Sequence, residues 1–437
     1  MVVSSKKSEL FVYMNSQLIG RLTQLSSTKM KFVYEKSWLQ SEYGRPISLS
    51  MPLTESPYEG DVVYNYFDNL LPDNESLRGR IQKRFSAKTS GCFDLLSYIG
   101  IDCVGALQLV TEPLLSEIPK IDAKAISNKH IAKLIKNYKH APLGMEENST
   151  FRISIAGAQE KTALLKYKNR WCLPEGVTPT SHIIKLPIGY IEHSGIDLTE
   201  SIENEWLCLQ ILSAFGLPTN EVEIAHFDDT KTLVVKRFDR KWSKDCTKII
   251  RLPQEDMCQA LGISSHLKYE SDGGPGIVNI MEVLRGAYEA KEDRERFMRS
   301  VFLFWVLGAI DGHAKNFSIL MEAGGNYRLT PLYDVLSAYP LAQSRQLEWK
   351  ELKMAMALRG KNKHYRWYEI QQRHWLSTAN ECQFSAALMQ NIIDETCDIL
   401  EAVIEQVSLL LPNDFPMKMA DAIFSGMRHV KNRCNGV

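Results

Sequence analysis

Several things are missing from this chain, and each absence narrows the field. Its nine cysteines contain no C-x-x-C pair, and the count is odd. That argues against a disulfide framework or a zinc ribbon and for reduced thiols in a cytoplasm. No apolar run approaches the ~20 residues that a membrane-spanning helix needs. The longest, Val301 to Ile310, reads as a buried helix. The opening MVVSSKKSELFVYM has no long apolar core and no small-residue cleavage pattern. A soluble, cytoplasmic protein with no membrane partner is expected. Net charge is absent as well, with 52 basic and 52 acidic residues. The chain as a whole is therefore no electrostatic binder of DNA or lipid. A local basic run, Arg359, Lys361, Lys363 and Arg366, reads as a solvated loop. No internal repeat or low-complexity tract is present.

What remains is an ordinary globular composition, 44% hydrophobic and 24% charged, over 437 residues, enough for two or three domains. Residues 1–112 read as a small α+β domain. A hairpin (LFVYMN, LIGRL, KFVYE) leads into helical periodicity in VVYNYFDNLLPD and ESLRGRIQKRF, then a strand, VGALQLV. Residues 113–249 hold one amphipathic helix candidate, ISNKHIAKLIKNYKH, and then mostly β-type runs: FRISIAG, KTALLKYK, RWCLP, HIIKLP, EVEIAHF and TLVVKRFD. A helix, ESIENEWLCLQILSAFG, interrupts them and stops at Gly216-Leu217-Pro218. Residues 250–437 become mostly helical, with QEDMCQALG, GIVNIMEVLRGAYEA and DRERFMRSVFLFWVLGAI as helix candidates. A β-rich lobe followed by a helical lobe is the order of a bilobal kinase, and of unrelated two-domain proteins.

Phosphoryl transfer to a hydroxyl needs a carboxylate for the acceptor, oxygen ligands for Mg²⁺, a cation on the phosphates and backbone donors around them. Asp311-Gly-His-Ala-Lys-Asn316 follows the apolar helix with the five-residue spacing of a kinase catalytic-loop Asp and its metal-binding Asn. Taken singly it could equally be a capped turn. Asp334, in LYDV, stands where a second metal ligand would follow, although no D-F-G triplet is present. Lys185 lies in the apolar strand HIIKLP, where a buried ammonium needs an anion. Glu203 and Glu205 on the next helix are candidate partners, Glu205 the preferred one. The small residues of IAGAQEK, Ile155 to Lys161, would let backbone N–H groups approach phosphate. Each element is modest alone, but all four occur in kinase order.

The stretches FRISIAGAQEKTALL, SHIIKLP, VKRFDR, RLPQEDMCQALG, KYESDGGPGI, GAIDGHAKNFS and RLTPLYDVLSA resemble the HipA-type kinases, toxins of bacterial HipBA toxin–antitoxin pairs. The resemblance runs from YMNSQLIGRL through RPISLSMPL and YFDNLLPD to about residue 415. It implies an α+β, bilobal protein kinase-like fold with an extra N-terminal subdomain. It implies ATP and Mg²⁺ as cofactors and serine/threonine phosphorylation of proteins. Under it Asp311 is the catalytic base, and Asn316 and Asp334 are the metal ligands. Lys185 contacts phosphate, and Ala156, Gly157, Ala158, Gln159, Glu160 and Lys161 form the phosphate-binding loop. Lys236, Arg237 and Phe238 form the hinge that receives adenine, although some members carry Glu where Lys236 stands. His313 and Tyr333, with Asp334, lie where nucleotide contacts are expected. Ser154 matches an autophosphorylated serine whose modification displaces the loop.

The resemblance further implies a small helix-turn-helix, HipB-like antitoxin, assembled with the toxin as a heterotetramer or larger complex. It implies operator DNA reached through that antitoxin, corepression of the shared operon, and growth arrest through a translation-related target such as an aminoacyl-tRNA synthetase. Two rival readings are a small-molecule kinase of aminoglycoside or choline type, and a catalytically weak binding module acting beside the antitoxin. The AGAQEK loop and the N-terminal subdomain speak against the first, and the intact Lys185, Asp311, Asn316 and Asp334 set against the second.

Overall fold

Alternating burial along Glu9–Met14 and Gln17–Gln24 makes them a two-faced antiparallel pair, joined at Asn15 and Ser16, both with positive φ. Asn tolerates that left-handed conformation better than most residues. Its side chain also exchanges two hydrogen bonds of 2.8 Å with the Arg251 backbone. The computed structural model describes residues 8–114, 117–137, 154–156, 159, 161–192 and 194–434. These fall into two compact units, one of residues 1–186, 225–266 and 319–327, the other of 187–224, 267–318 and 328–437. This grouping differs from a division into consecutive segments at 112 and 249.

In the first unit a five-stranded antiparallel sheet runs in the order Tyr58–Glu59, Met30–Tyr34, Gln17–Gln24, Glu9–Met14, Leu107–Val110. Its apolar face packs Leu10, Val12, Leu22 and Phe32 against Phe67, Ile81 and Leu96 from the helices Asp61–Asp68, Glu75–Phe85 and Cys92–Ile99. The helix Glu75–Phe85 begins where Asn74 accepts the Leu77 N–H and ends at Ser86 in the left-handed region. A second antiparallel array joins Thr230–Lys236, His182–Lys185, Lys161–Tyr167, Arg170–Pro174 and Ala123–Ala125 in that spatial order.

A buried ionic cluster explains why the N-terminal residues and the β-rich segment share one unit. The Asp102 carboxylate meets Arg240 at 3.0 Å, Arg251 at 3.3 Å and Arg237 at 3.4 Å, and accepts the Thr180 hydroxyl at 2.7 Å. Asp239 accepts from Arg237 and from the Gly105 N–H, both at 2.7 Å. Burial alone would raise the Asp102 carboxyl; Arg240, Arg237 and Arg251 overcome it and hold it well below the usual carboxylate range. Burial lowers Arg251 to about 10.

The segment QEDMCQALG departs from the sequence expectation. Gln254–Asp256 is a strand, and only Met257–Ala260 is helical. Asp256 accepts the Gln259 N–H and Gln259 returns the bond, so the capping box starts the helix three residues later than periodicity suggests. Ser154–Ala156, expected within a strand, is an irregular segment.

The second unit is mainly helical. Its central helix, Ala290–Leu307, ends at Gly308 with φ +61°, where a Cβ would come within 2.6 Å of the Tyr339 ring. Trp305 and Trp367 donate their indole N–H groups to each other's carbonyls, at 3.1 and 2.8 Å. Helices Gln372–Glu381, Ala386–Ser408 and Met417–Cys434 complete this unit. The helix candidate GIVNIMEVLRGAYEA is α-helical only over Ile277–Val283, with a 3-10 turn at Leu284–Gly286. Among the described residues no helix is long and apolar enough to cross a membrane.

Candidate functional site

In the second unit, the chain leaves the Ala290–Leu307 helix and enters the loop Asp311 to Asn316. Gly312 is required there by space, since a Cβ would lie 2.5 Å from the Phe304 ring. The His313 N–H donates to the Asp311 carbonyl at 2.8 Å, and the Asn316 N–H to the His313 carbonyl at 2.9 Å. The loop is thereby wound into a short 3-10 turn, Ala314–Asn316, with Asp311 exposed at its start and Asn316 buried at its end.

Asn316 Nδ2 donates to the Asp334 carbonyl at 3.1 Å. A carbonyl only accepts, so this bond makes the atom facing it the amide nitrogen and leaves Asn316 Oδ1 as an acceptor for another group. Asp334 itself has φ +59°, a left-handed conformation that costs a non-glycine residue energy and tends to persist at functional sites. Next to it, the Tyr333 hydroxyl donates to the Lys315 carbonyl at 2.9 Å and also bonds the Ser318 hydroxyl. The Tyr333-Asp334 segment is thus fastened to the Asp311 loop at two points.

His313 is 6% exposed, and its Nδ1 is buried without a hydrogen-bond partner. Burial lowers its pKa, against the opposing pull of Asp311. A neutral imidazole with an unsatisfied buried nitrogen is expensive unless a ligand completes it. The Asp311 carboxylate accepts a 2.7 Å hydrogen bond from the Tyr269 hydroxyl, a residue that spacing did not single out. Glu205 and Glu203 are both buried near the start of helix Ser201–Ala214 in this unit.

The remaining candidates lie in the first unit. Ser154 is 0% exposed; its hydroxyl donates to the Leu70 carbonyl at 2.7 Å and its N–H to the Asp102 carbonyl at 3.0 Å. Gln159 Nε2 donates to the Leu186 carbonyl at 2.7 Å. Gly157, Ala158 and Glu160 lie outside the described residues. Lys161 begins a strand, and its register partner across the antiparallel pair is Lys185. Both are buried, at 7% and 6% exposure. Directly opposed like charges destabilise a sheet unless counter-charges offset them. Spacing along the chain could not reveal this pairing. In the segment expected to form the hinge, Lys236 is exposed and registers with His182, and Phe238 is half-buried. The Arg237 N–H goes to the Ser181 carbonyl at 3.0 Å and its guanidinium to Asp239 and Asp102. These polar groups of Arg237 are therefore engaged within the protein.

The basic run, expected as a solvated loop, forms a hairpin instead: Lys361, Lys363 and Arg366 are exposed, while Arg359, at the end of the strand Lys353–Arg359, is half-buried. Arg359 and Lys363 reach Glu270 at 3.1 and 2.9 Å, and Arg366 reaches Glu369 at 3.2 Å.

Known proteins resemble this chain in both sequence and fold. The HipA N-terminal domain family matches residues 10–110, and the HipA-like C-terminal domain family matches residues 153–404. The chain is 30% identical over 410 residues to Y4mE of Sinorhizobium fredii, covering 91% of this chain and 92% of that one. It is 28% identical over 351 residues to the serine/threonine-protein kinase toxin HipA of Shewanella oneidensis, covering 76% of each. The HipA chain solved with HipB and operator DNA from Shewanella oneidensis superposes with a TM-score of 0.80 at 22% identity, covering 98% of this chain and 97% of that one. The fold is therefore the α+β, kinase-like one expected from the sequence, and the chain belongs to the HipA family of protein kinases.

Proposed function

We propose that this chain is the toxin of a toxin–antitoxin pair: an ATP- and Mg²⁺-dependent kinase that phosphorylates serine or threonine on a translation component. An aminoacyl-tRNA synthetase is the leading candidate target, and growth arrest the consequence. The observation that carries the reading is the Asn316 Nδ2 bond to the Asp334 carbonyl. It ties the main chain of Asp334 to the end of the loop that begins at the exposed Asp311.

Asp311, exposed at the loop's start, is the group that accepts the proton of an incoming hydroxyl. Asn316 Oδ1 and the Asp334 carboxylate are hard oxygen donors of the kind Mg²⁺ takes, one or two protein ligands plus phosphates. They fit that ion, which when bound screens and orients the phosphates. Among the described residues no group of three or more His, Cys, Asp and Glu could hold a metal by itself. An ion shared with a nucleotide needs no such cage. Lys161 and Lys185 supply positive charge for phosphate oxygens, with Ala156 to Glu160 as backbone donors. Glu205 is the proposed partner of Lys185. Lys236 to Phe238 receive the adenine, and His313 and Tyr333 flank the nucleotide. Ser154 is the proposed site of autophosphorylation. The partner is a helix-turn-helix, HipB-like antitoxin, which brings the chain to operator DNA in a heterotetramer or larger complex and makes it a corepressor.

The test is phosphosite mapping in cells expressing the chain with and without Asp311→Asn, beside purified protein incubated with labelled MgATP. New phosphoserine or phosphothreonine on a translation protein, absent with the variant, is the expected result. Transfer by Asp311→Asn at the native rate would remove Asp311 as the base.

A further inference from the structure

The segment KYESDGGPGI, Lys268 to Ile277, has no role in the reaction as described so far. We propose that it is a rigid platform that positions the Asp311 carboxylate through the Tyr269 hydroxyl. This inference rests on Asp311 being the base and deepens that reading.

The contact itself is a 2.7 Å hydrogen bond from Tyr269 to Asp311 Oδ1. A carboxylate has two oxygens and about four acceptor directions. A donor fixed on one of them selects a single rotamer and leaves Oδ2 for the acceptor hydroxyl. The phenol ring is held in turn. It meets the His313 ring edge to face at 5.0 Å, and the Lys268 ammonium lies 5.6 Å from its centroid. A cation over the ring is attracted to its π face and helps hold it in place.

The platform is built not to move. The Lys268 carbonyl accepts the Ala314 N–H at 3.3 Å, joining it to the Asp311 loop directly. The adjacent Glu270 is buried. It accepts the Ala357 N–H at 2.7 Å and meets Lys363 at 2.9 Å and Arg359 at 3.1 Å, which locks the segment to the hairpin Lys353–Arg366. The Tyr269 carbonyl accepts the Asp272 and Gly274 N–H groups, closing a tight turn. At Gly274 a Cβ would sit 1.7 Å from the Leu267 carbonyl, and at Gly276 2.3 Å from the Glu270 carboxylate. The glycines are there because the turn leaves no room, and the closed turn fixes the backbone beside Tyr269. A mobile lid would not be clamped on both sides in this way. The tyrosine therefore acts as a positioning residue, while a competitor for the acceptor hydroxyl would call for freedom to withdraw.

The test uses the purified full chain, with its own phosphorylation by MgATP and that of casein as readouts. Tyr269→Phe removes only the hydroxyl and keeps the ring against His313. The expected result is a fall in kcat of about ten- to hundredfold, the scale of one lost hydrogen bond to a charged group, at unchanged KM for MgATP and unchanged melting temperature. A merely structural role would move the melting temperature or KM instead. Glu270→Gln, which loosens the platform while leaving Tyr269 in place, should lower kcat in the same sense. With Asp311→Asn inactive, native or raised kcat in Tyr269→Phe would overturn the inference, a rise marking the tyrosine as a blocker. If Asp311→Asn itself turned over normally, the assignment of the base would fail first, whatever Tyr269→Phe did.

Discussion

Phosphorylation of Ser154 should eject its segment from the first unit and abolish nucleotide binding. The unmodified hydroxyl is fully buried, bonded at 2.7 Å to the Leu70 carbonyl, with the N–H bonded to the Asp102 carbonyl. Ser154→Ala loses one hydrogen bond and leaves the buried Leu70 carbonyl short of a donor, a cost of about 1–3 kcal/mol. A phosphate is a different matter. It adds about −1.5 to −2 charges at a spot where the side-chain oxygen already faces a carbonyl oxygen and has nothing to gain from it. Even a single buried carboxylate has its pKa raised by up to ~3–5, equivalent to ~4–7 kcal/mol, so Ser154→Asp gives a lower bound on the penalty. That outweighs the roughly 1.5–3 kcal/mol from burying Ile155 and the ~1 kcal/mol of the backbone hydrogen bond to Asp102, so the segment should leave. The residues that follow, up to Lys161, would then lose the placement that the proposed phosphate contacts require. The assay is mass spectrometry after incubation with MgATP, then MgATP titration and amide hydrogen exchange on the separated forms. Phosphorylated protein should bind MgATP far more weakly and lose protection at Ser154. Modified protein that keeps that protection, or binds MgATP as the native chain does, would refute the reasoning. An absence of phosphate at Ser154 would remove the switch altogether.

Other consequences are equally specific. Asn316→Ala and Asp334→Ala should each weaken Mg²⁺-dependent nucleotide binding while leaving the fold intact; isothermal titration with and without Mg²⁺ checks this, and unchanged affinity in both would contradict the ligand assignment. Asp102→Ala strands three guanidinium groups with only Asp239 among them, and should destabilise the chain by ~3–5 kcal/mol in urea unfolding. Because Asp102 and Asp239 are held below their ordinary pKa, their contribution is complete above about pH 4 and is lost as pH falls through the folded values, so Asp102→Ala should flatten the acid limb of the stability profile. Glu255 has the opposite sign. Burial raises it to about 8, so its contribution is complete below the ordinary carboxylate range and is lost as pH rises through 8. Glu255→Gln should stabilise the chain at pH 9 relative to native by a few kcal/mol at most, since each tenfold gain in proton affinity on folding is worth about 1.4 kcal/mol. A native profile that is flat between pH 6 and 9 would contradict this.

The parts of the site that could be read from the sequence are those whose chemistry is local. Asp311 and Asn316 lie on one short loop, where five-residue spacing is itself geometry, and Asp334 follows just beyond the next strand pair, Ser318–Met321 and Tyr327–Leu329. The structure adds the bond from Asn316 to the Asp334 backbone, which spacing hints at but does not specify. Helix limits were legible where a cap residue stood at the right place, as at Asn74, and misread where a capping box sat inside an apparently periodic run, as at Asp256 and Gln259. What stayed hidden depends on residues far apart in the chain. The Asp102 cluster draws on Thr180, Arg237, Arg240 and Arg251, and no periodicity marks a charged residue as buried when its partners are more than seventy positions away. Arg237 shows the effect most clearly. Expected in a hinge that would receive adenine through backbone groups, it also carries a side chain that fastens this segment to the N-terminal residues. Tyr269 left a fainter trace. An aromatic beside a Lys and a Glu, followed at once by Gly273-Gly274-Pro275-Gly276, is a turn too constrained for a plain surface loop. In the folded chain that turn lies beside the Tyr269 hydroxyl, which is bonded to the carboxylate of Asp311, the residue proposed as the base.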